Sequence, residues 1–401
     1  MKSRMKHLKH FGWLFAALCL TACQQADEGW LQESLTYCDV QVHRTLMELR
    51  GDSGRIDYTM TPRNIGPDEA RWNRRSVLTP EEWTAGFFPG ILWLDYEQTQ
   101  DTMVLREARS FTERLGYLAR QKVYDHDLGF IMIGSYLNGY RLTQDAAYKK
   151  VLLAAADSLA TLFNPQVGTL LSWPRNVGMF GGHNTIMDNM INLELLLWAA
   201  ENGGSERLRD IAVSHADTTM TYHFRPDATS FHVAVYDSLS GRHLYNCTHQ
   251  GAADSTMWAR GQAWAIYGFT MMADYTRQER FLDMACRTAD VYLERLPDET
   301  LVPFWDFSRS DFRDASAACV VASALVRLSE LTGVQDYLDK ATTMLRTLSA
   351  EPYRCGDARP AFLQHSVGNY PAGSEIDYSI NYADYYYLEA LIRLQRCRQR
   401  R

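Results

Sequence analysis

The sequence has no Cys-x-x-Cys pair, no Gly-rich phosphate loop, no His-Glu-x-x-His helix and no Gly-x-Ser-x-Gly elbow. Those absences argue against a zinc ribbon or thioredoxin-like site, a nucleotide cradle, a zincin and a serine hydrolase. Positive charge is also in deficit. Formal net charge is -7, and the four cations of the first 22 residues, Lys2, Arg4, Lys6 and Lys9, have no acid among them, so the remainder is more acidic still. Such a chain has no general attraction to nucleic acid or to an anionic membrane surface, and an acidic substrate would need a local positive charge to receive it. Beyond the first 22 residues no segment reads as long and apolar enough for a membrane span, and no Pro/Ser-rich linker or low-complexity run marks a domain boundary. With 46% hydrophobic and 22% charged residues, the composition is that of a globular protein and not of a disordered, collagen-like or disulfide-scaffold chain.

The start carries a basic stretch through Lys9, an apolar run from Phe11 to Leu20, and Leu20-Thr21-Ala22-Cys23 followed by Gln24 and Gln25. This pattern predicts a secretory signal over 1–22 ending in a lipobox, with Cys23 lipidated and 23–33 as a tether. The apolar run is about half of the roughly 20 residues needed to cross a bilayer. The expectation is a bacterial lipoprotein, periplasmic or outer-membrane-associated, touching the membrane only through its lipid; cleavage without lipid is the alternative. Cys19 lies in the signal, and Cys38, Cys247, Cys286, Cys319, Cys355 and Cys397 are scattered, as buried thiols would be, although an oxidising compartment permits a disulfide.

From about Leu35 the sequence reads as helix after helix. Apolar residues recur at i, i+3, i+4 and i+7 over 34–50, 85–99, 101–121, 145–163, 187–201, 204–222, 256–276, 278–296, 314–332, 335–349 and 381–396. One strand pattern stands out: Ser230 to Asp237, a Ser-Leu-Ser-Gly turn, then Arg242 to Thr248, which predicts a single hairpin. Ile186 to Ala200 is apolar on nearly all sides, whereas Ser205 to Thr221 and Gln278 to Arg295 are charged on one side. That contrast separates inner helices from outer ones. Residues 34–401 are therefore expected to form one all-α (α/α)6 barrel with a small β-hairpin insertion. In that architecture the inner-helix N-termini and the loops before them line a central cleft.

Polar residues at apolar positions mark candidate chemistry. Asp188 and Asn192 lie one turn apart on one face of the apolar Thr185–Trp198 segment. A carboxylate so placed is costly unless paired or protonated, which predicts a raised pKa suited to a general acid; the alternative is an Asp that caps the helix. Asp127, in the run Tyr124 to Phe130, is either a second functional carboxylate or the N-cap of a helix continuing through Tyr140. Metal binding by Asp125, His126 and Asp127 is disfavoured, because three adjacent side chains rarely converge on one ion.

Trp83 to Gly90 combines two glycines and a proline with three aromatics, as in a loop whose backbone approaches a ligand. Arg260 and Trp264 share a helix face at i and i+4, and with Trp173 they suit stacking on a sugar and fork-like binding of a carboxylate. Singly, each Trp reads better as core than as a ligand platform. His232 falls on the expected hairpin with Ala234 and Tyr236, where it becomes a candidate donor to an acidic sugar.

Taken in order, the Trp83–Gly90 loop, Asp125 to Phe130, Ser135 to Tyr140, Ile186 to Trp198, Trp258 to Trp264, Val302 to Phe307 and His365 to Asp384 resemble glycoside hydrolase family 88, the unsaturated glucuronyl hydrolases. The resemblance covers about Trp83 to Arg393 and is closer than that to the unsaturated rhamnogalacturonyl hydrolases. It implies an (α/α)6 barrel acting on oligosaccharides whose non-reducing end is a 4,5-unsaturated uronic acid left by a polysaccharide lyase, with glycosaminoglycan fragments preferred. C4 of the enol ether is protonated, water adds at C5, and the ring opens, releasing the next sugar. By the same resemblance Asp188 is the acid/base, and Asp127 is a companion carboxylate that holds ring hydroxyls and helps keep Asp188 protonated. Trp83, Trp173, His232, Gln250, Arg260, Trp264 and Ser366 match substrate-contacting positions, with Arg260 and Ser366 expected at the uronate. No metal, nucleotide or other cofactor is implied. A glycan-binding lipoprotein without catalysis is the rival from another class. A lyase would need a Tyr, His or Lys base, and Tyr385-Tyr386-Tyr387 reads better as helix packing.

Overall fold

Helices apolar on every side alternate along the chain with helices apolar on one side, and this alternation sorts them into two concentric rings. The structure, a computed structural model, describes residues 29–52 and 54–400. It begins with helix α1 (29–50), strands β1 (Met60–Ile65) and β2 (Asn73–Ser76), and helices α2 (Phe87–Thr99) and α3 (Thr102–Arg114). A continuous helix follows, made of α4 (Leu128–Met132), a π-helical turn (Ile133–Leu137) and α5 (Asn138–Thr143). Next come α6 (Ala146–Ala160), β3 (Phe163–Asn164), β4 (Thr169–Leu170), the short α7 (Val177–Phe180), β5 (His183–Ile186), α8 (Asn189–Glu201) and α9 (Arg207–Tyr222). The remainder is β6 (Val233–Tyr236), β7 (His243–Cys247), α10 (Ala259–Thr276), α11 (Glu279–Glu294), α12 (Ala315–Thr332), α13 (Gln335–Leu348), β8 (Ser366–Asn369), β9 (Ser374–Ile380) and α14 (Asn381–Gln399).

The inner ring closes: α2 packs on α4/α5, α4 on α8, α8 on α10, α10 on α12, α12 on α14, and α14 on α2. Outer helices α3, α9, α11 and α13 each pack on the inner helix before them in the chain. α11 shows why an outer helix stays outside, since it buries one side only, with Phe281, Met284, Ala285, Thr288, Ala289, Val291 and Tyr292. This is the expected (α/α)6 barrel. α12 is in fact long and apolar enough to cross a membrane by length and composition, contrary to the sequence reading, but most of it is buried inside the barrel. Tyr385, Tyr386 and Tyr387 are buried in α14, as helix packing requires.

Three boundaries shift from the expectation. α1 begins at residue 29, inside the span assigned to a tether, while the signal and Cys23 lie outside the described residues. The hairpin forms as β6 and β7, but β5 joins it, giving a three-stranded antiparallel sheet in which Asn184 faces Val235 and Ala234 faces Asn246. A second, four-stranded sheet in the order β2-β1-β9-β8 was not anticipated, because its strands are short and come from opposite ends of the chain. Cys38, Cys247, Cys286, Cys319 and Cys355 are free thiols, and Cys38, Cys319, Cys355 and Cys397 are buried.

The glycines of the Trp83–Gly90 loop serve packing between helices, not ligand approach. A Cβ on Gly86 would sit 2.3 Å from the Ile131 carbonyl oxygen, and one on Gly90 would sit 2.6 Å from the Tyr385 ring. Gly129 has the same function in α4: a Cβ there would fall 2.4 Å from Asn192 Oδ1 and 2.7 Å from Asn192 Cα. Gly129→Ala is therefore expected to force α4 away from α8 and cost about 1–3 kcal/mol, measured as a lower denaturation midpoint with an unchanged slope.

Candidate active site

All six inner helices begin at the same end of the barrel, and the candidate residues gather there. Three aspartates at helix starts act as ordinary caps: Asp101, Asp145 and Asp314 accept the backbone N–H of Met103, Ala147 and Ser316. Asp127 and Asp188 occupy the same position before α4 and α8, yet neither carboxylate makes a capping hydrogen bond. The capping reading thus places both residues correctly and misassigns their side chains. Each carboxyl is 13% exposed and faces the cleft, while the imidazole beside it, His126 for Asp127 and His232 for Asp188, has a side chain that is 0% exposed.

The hydrogen bonds decide which nitrogen of each imidazole carries the proton. Asn192 Oδ1 accepts the Phe130 N–H at 2.7 Å, so its Nδ2 must donate, and the recipient is His126 Nδ1 at 2.9 Å. His232 Nδ1 accepts the backbone N–H groups of His249 and Gln250, both at 3.2 Å. With Nδ1 accepting in both rings, each neutral imidazole carries its hydrogen on Nε2. His126 Nε2 stands 3.6 Å from Asp127 Oδ1 and His232 Nε2 3.5 Å from Asp188 Oδ2, beyond direct hydrogen bonding but aimed at the carboxyls. Burial holds His126 neutral, with a pKa lowered to about 4.

The two carboxyls differ in proton affinity. Asp127 is pushed up to about 7, by burial first and then by the negative charge of Asp188. Burial pushes Asp188 up too, but the facing His232 ring and the positive charge of Arg260 outweigh it, leaving Asp188 below the ordinary carboxyl value. The sequence-based expectation was the reverse, with Asp188 raised and Asp127 keeping it protonated. It failed because the donor facing Asp188 comes from a residue 44 positions later in the chain.

The other predicted residues separate into wall, floor and frame. Trp173 is a wall, stacked on Phe180 at 6.1 Å and edge-on to His126 and His232. Trp83 stands opposite, half-buried against Phe130 and Tyr382. Trp264 is fully buried between Phe130 and Tyr386, which puts it beneath the cleft floor and away from a stacking surface. Arg260 is also buried, and its guanidinium already donates to Asp314 and to the carbonyls of Val367 and Gly368. A free fork for a carboxylate is therefore not what the structure presents; Arg260 frames β8 and contributes positive field. Gln250 donates to the same Gly368 carbonyl at 3.2 Å. Ser366 is buried, with a hydroxyl that has no protein partner.

Six of the unpartnered buried polar atoms lie together at this end: His126 Nε2, Asp188 Oδ2, Asn189 Oδ1, His232 Nε2, Ser366 Oγ and the Tyr382 hydroxyl. Each such group costs about 1–3 kcal/mol when left unpaired, so their concentration marks a site built to contact something polar. Asp125, His126 and Asp127 do not form a metal cage. Asp125 is paired with Arg175 and accepts the Asp127 N–H, and His126 is held by Asn192. Sequence reasoning passed over His126 as a donor, His249 and Trp258. His126 and Trp258 lay inside the quoted motifs, but their partners Asn192 and His232 are distant in sequence. The Trp258 ring lies 4.6 Å from His232, and Arg260 covers its other neighbourhood at 4.7 Å.

No family model matches the chain. It is 43% identical over 326 residues to the unsaturated glucuronyl hydrolase of Formosa agariphila, covering 79% of this chain and 80% of that one. It is 32% identical over 332 residues to the unsaturated chondroitin disaccharide hydrolase of Streptococcus pneumoniae, covering 79% and 83%. Among solved structures, an unsaturated glucuronyl hydrolase specific for heparin superposes with a TM-score of 0.85 at 39% identity, over 93% of this chain and 98% of the other.

The Asp127 carboxyl binds its proton more tightly folded than unfolded. Its contribution to stability is complete below the unfolded value near 4 and is lost as pH rises through about 7. Asp127→Asn is therefore expected to be more stable than the native chain at pH 8, by more than about 1 kcal/mol, with the gap closing toward pH 4 in urea titrations.

Proposed function

The chain belongs to the unsaturated glucuronyl hydrolases of glycoside hydrolase family 88, and on that footing we propose how its own residues carry the reaction. It is a glycoside hydrolase acting on the 4,5-unsaturated uronic acid at the non-reducing end of lyase-generated oligosaccharides. The observation that carries the assignment of roles is the pair of uncapped, cleft-facing carboxyls with opposite proton affinities, each beside a neutral imidazole N–H.

Up to about pH 7 the more tightly held proton of the pair rests on Asp127. A bound uronate brings a further negative charge and displaces water, and both effects raise Asp188. The proton then passes from Asp127 to Asp188, leaving Asp127 as the carboxylate, and Asp188 delivers it to C4, leaving an oxocarbenium-like centre at C5. Water adds to C5 and returns its proton to Asp188. The resulting hemiketal opens, breaking the bond between C5 and the ring oxygen, and the exposed hemiacetal at C1 releases the next sugar. The leaving oxygen needs no early proton, so the usual rule linking carboxylate spacing to stereochemistry does not apply. His232 and His126 aim their Nε2–H groups at the two carboxyls, and Trp173 and Trp83 bound the ring on two sides.

The N-terminal pattern supports a lipoprotein reading, with Cys23 as the anchor and a periplasmic or outer-membrane site of action. A polysaccharide lyase then acts first, since only a lyase creates the C4=C5 bond. The assay is the loss of ultraviolet absorbance of that bond in lyase-generated disaccharides. Asp188→Asn is expected to lower kcat by at least about a thousandfold while retaining substrate binding; near-native turnover would remove Asp188 from the chemistry. For the native enzyme, kcat/KM is expected to fall as pH rises through about 7, where Asp127 gives up its proton, and stopped assays across pH 5 to 9 measure that limb.

A further inference from the structure

His126 stands beside Asp127, whose proton the reaction uses, and an imidazole is the side chain that most often takes up a proton near neutral pH. Distance alone does not keep it from doing so here. Nε2 is 3.6 Å from Asp127 Oδ1, and a small shift would close that gap. The obstacle is the state of the ring. With its hydrogen on Nε2, His126 turns an N–H toward Asp127 and not a lone pair, so the only nitrogen able to accept a proton is Nδ1, on the side away from the carboxyl.

Nδ1 is held by Asn192. The amide oxygen is committed to the Phe130 N–H at 2.7 Å and the amide NH2 to Nδ1 at 2.9 Å, so a hydrogen on Nδ1 would meet the amide N–H head-on. Turning the amide over would set its NH2 against the Phe130 N–H. Asn192 and His126 are both fully buried, where such a donor–donor clash has its full cost. Asn189, one turn earlier on α8, completes the cradle. It spends its NH2 on the Leu170 carbonyl at 3.3 Å and the Ser172 hydroxyl at 3.1 Å, leaving its oxygen as an acceptor beside His126. The surrounding charges favour the opposite outcome. Asp125 and Asp127 in its own loop and Asp188 at the start of α8 draw His126 toward an imidazolium, against Arg175, which is paired with Asp125; His215 of α9 is also within electrostatic reach. Burial and the Asn192 amide keep the ring neutral.

We propose that Asn192 is a positioning residue for proton transfer: by fixing the hydrogen of His126 on Nε2, it denies that ring the Asp127 proton, so the O–H bond that breaks on Asp127 re-forms on Asp188. The inference rests on the hydrolase reading above and adds a residue that no substrate touches. Asn192→Asp tests it, since the new carboxylate still accepts the Phe130 N–H and fills the same volume but offers Nδ1 an acceptor in place of a donor. His126 then carries hydrogen on Nδ1, turns its Nε2 lone pair to Asp127 and draws off the proton, becoming an imidazolium between two carboxylates. The basic limb of kcat/KM on lyase-generated disaccharides is expected to move down from about 7 by about one pH unit. In a His126→Gln background, with no ring to ionise, Asn192→Asp should leave the limb where His126→Gln alone puts it. Ring nitrogen-15 shifts of histidine-labelled enzyme give a readout independent of turnover, with His126→Gln identifying the signal. Native His126 should show a bare Nδ1 from pH 5 to 8, and Asn192→Asp a doubly protonated ring at about pH 6. An unmoved limb in a folded Asn192→Asp enzyme, a shift that persists without His126, or a native ring with hydrogen on Nδ1 would overturn the role of Asn192 while leaving the reaction assignment standing. If Asn192→Asp does not fold, the native spectrum decides alone. Absence of turnover on every unsaturated uronide would overturn the reaction and the role of Asn192 with it, whatever the ring spectra show.

Discussion

One side-chain amide joins the two halves of the site. Asn192 accepts the Phe130 N–H and donates to His126 Nδ1, so a single group pins the start of α4, sets the tautomer of His126 and fixes its distance from α8. Gly129 makes the contact possible by leaving room for that amide. Because Asp127 immediately precedes α4 and Asp188 immediately precedes α8, this one contact brings the two carboxyls into electrostatic range of each other. A buried amide with both ends used is inexpensive to keep and costly to disturb, since each freed partner would be left unsatisfied in a dry interior.

The functional asymmetry of the pair follows from its surroundings and not from residue type. Both residues are aspartates at helix starts, both are half-buried at the cleft, and both face an imidazole. Asp188 is faced by His232 and lies in the positive field of Arg260, whereas Asp127 lies in the negative field of Asp188. Two like groups in unlike fields divide one proton between them, which is how carboxyl pairs take different roles in acid–base chemistry.

The other end of the barrel carries ionic groups that offer a contrast. There the C-terminal halves of the inner helices converge on Glu194, Tyr267, Asp274, Arg327, Glu389 and Arg393. Arg327 is paired with Asp274 and Glu330, and Arg393 with Glu389. Cations at helix C-termini offset the negative ends of the helix dipoles, and here most have acidic partners as well. At the N-terminal end several polar atoms of the cleft, His126 Nε2, His232 Nε2 and Ser366 Oγ among them, are left without protein partners, and the difference between the two ends separates structural charge from functional charge.

Helix periodicity in the sequence determined the ring of paired helices, because an inner helix must be apolar all round and an outer one on a single stripe, and the chain records that difference residue by residue. The position of Asp188 and Asp127 was equally legible, since a carboxylate amid apolar neighbours is conspicuous. Their proton affinities were not. Those depend on His232, Asn192 and Arg260, which reach the carboxyls only after the barrel closes and which no local pattern links to them. The same holds for Arg260, whose place on a helix face was right but whose donors are taken by β8, and for Trp264, whose ring closes the floor instead of lining the cleft. The four-stranded sheet escaped notice for a related reason. β1 and β9 are separated by more than 300 residues, and only tertiary pairing makes them neighbours. Local pattern determined which residues are unusual; the closed barrel decided what each of them faces, because electrostatic and hydrogen-bonding environments are properties of spatial neighbours.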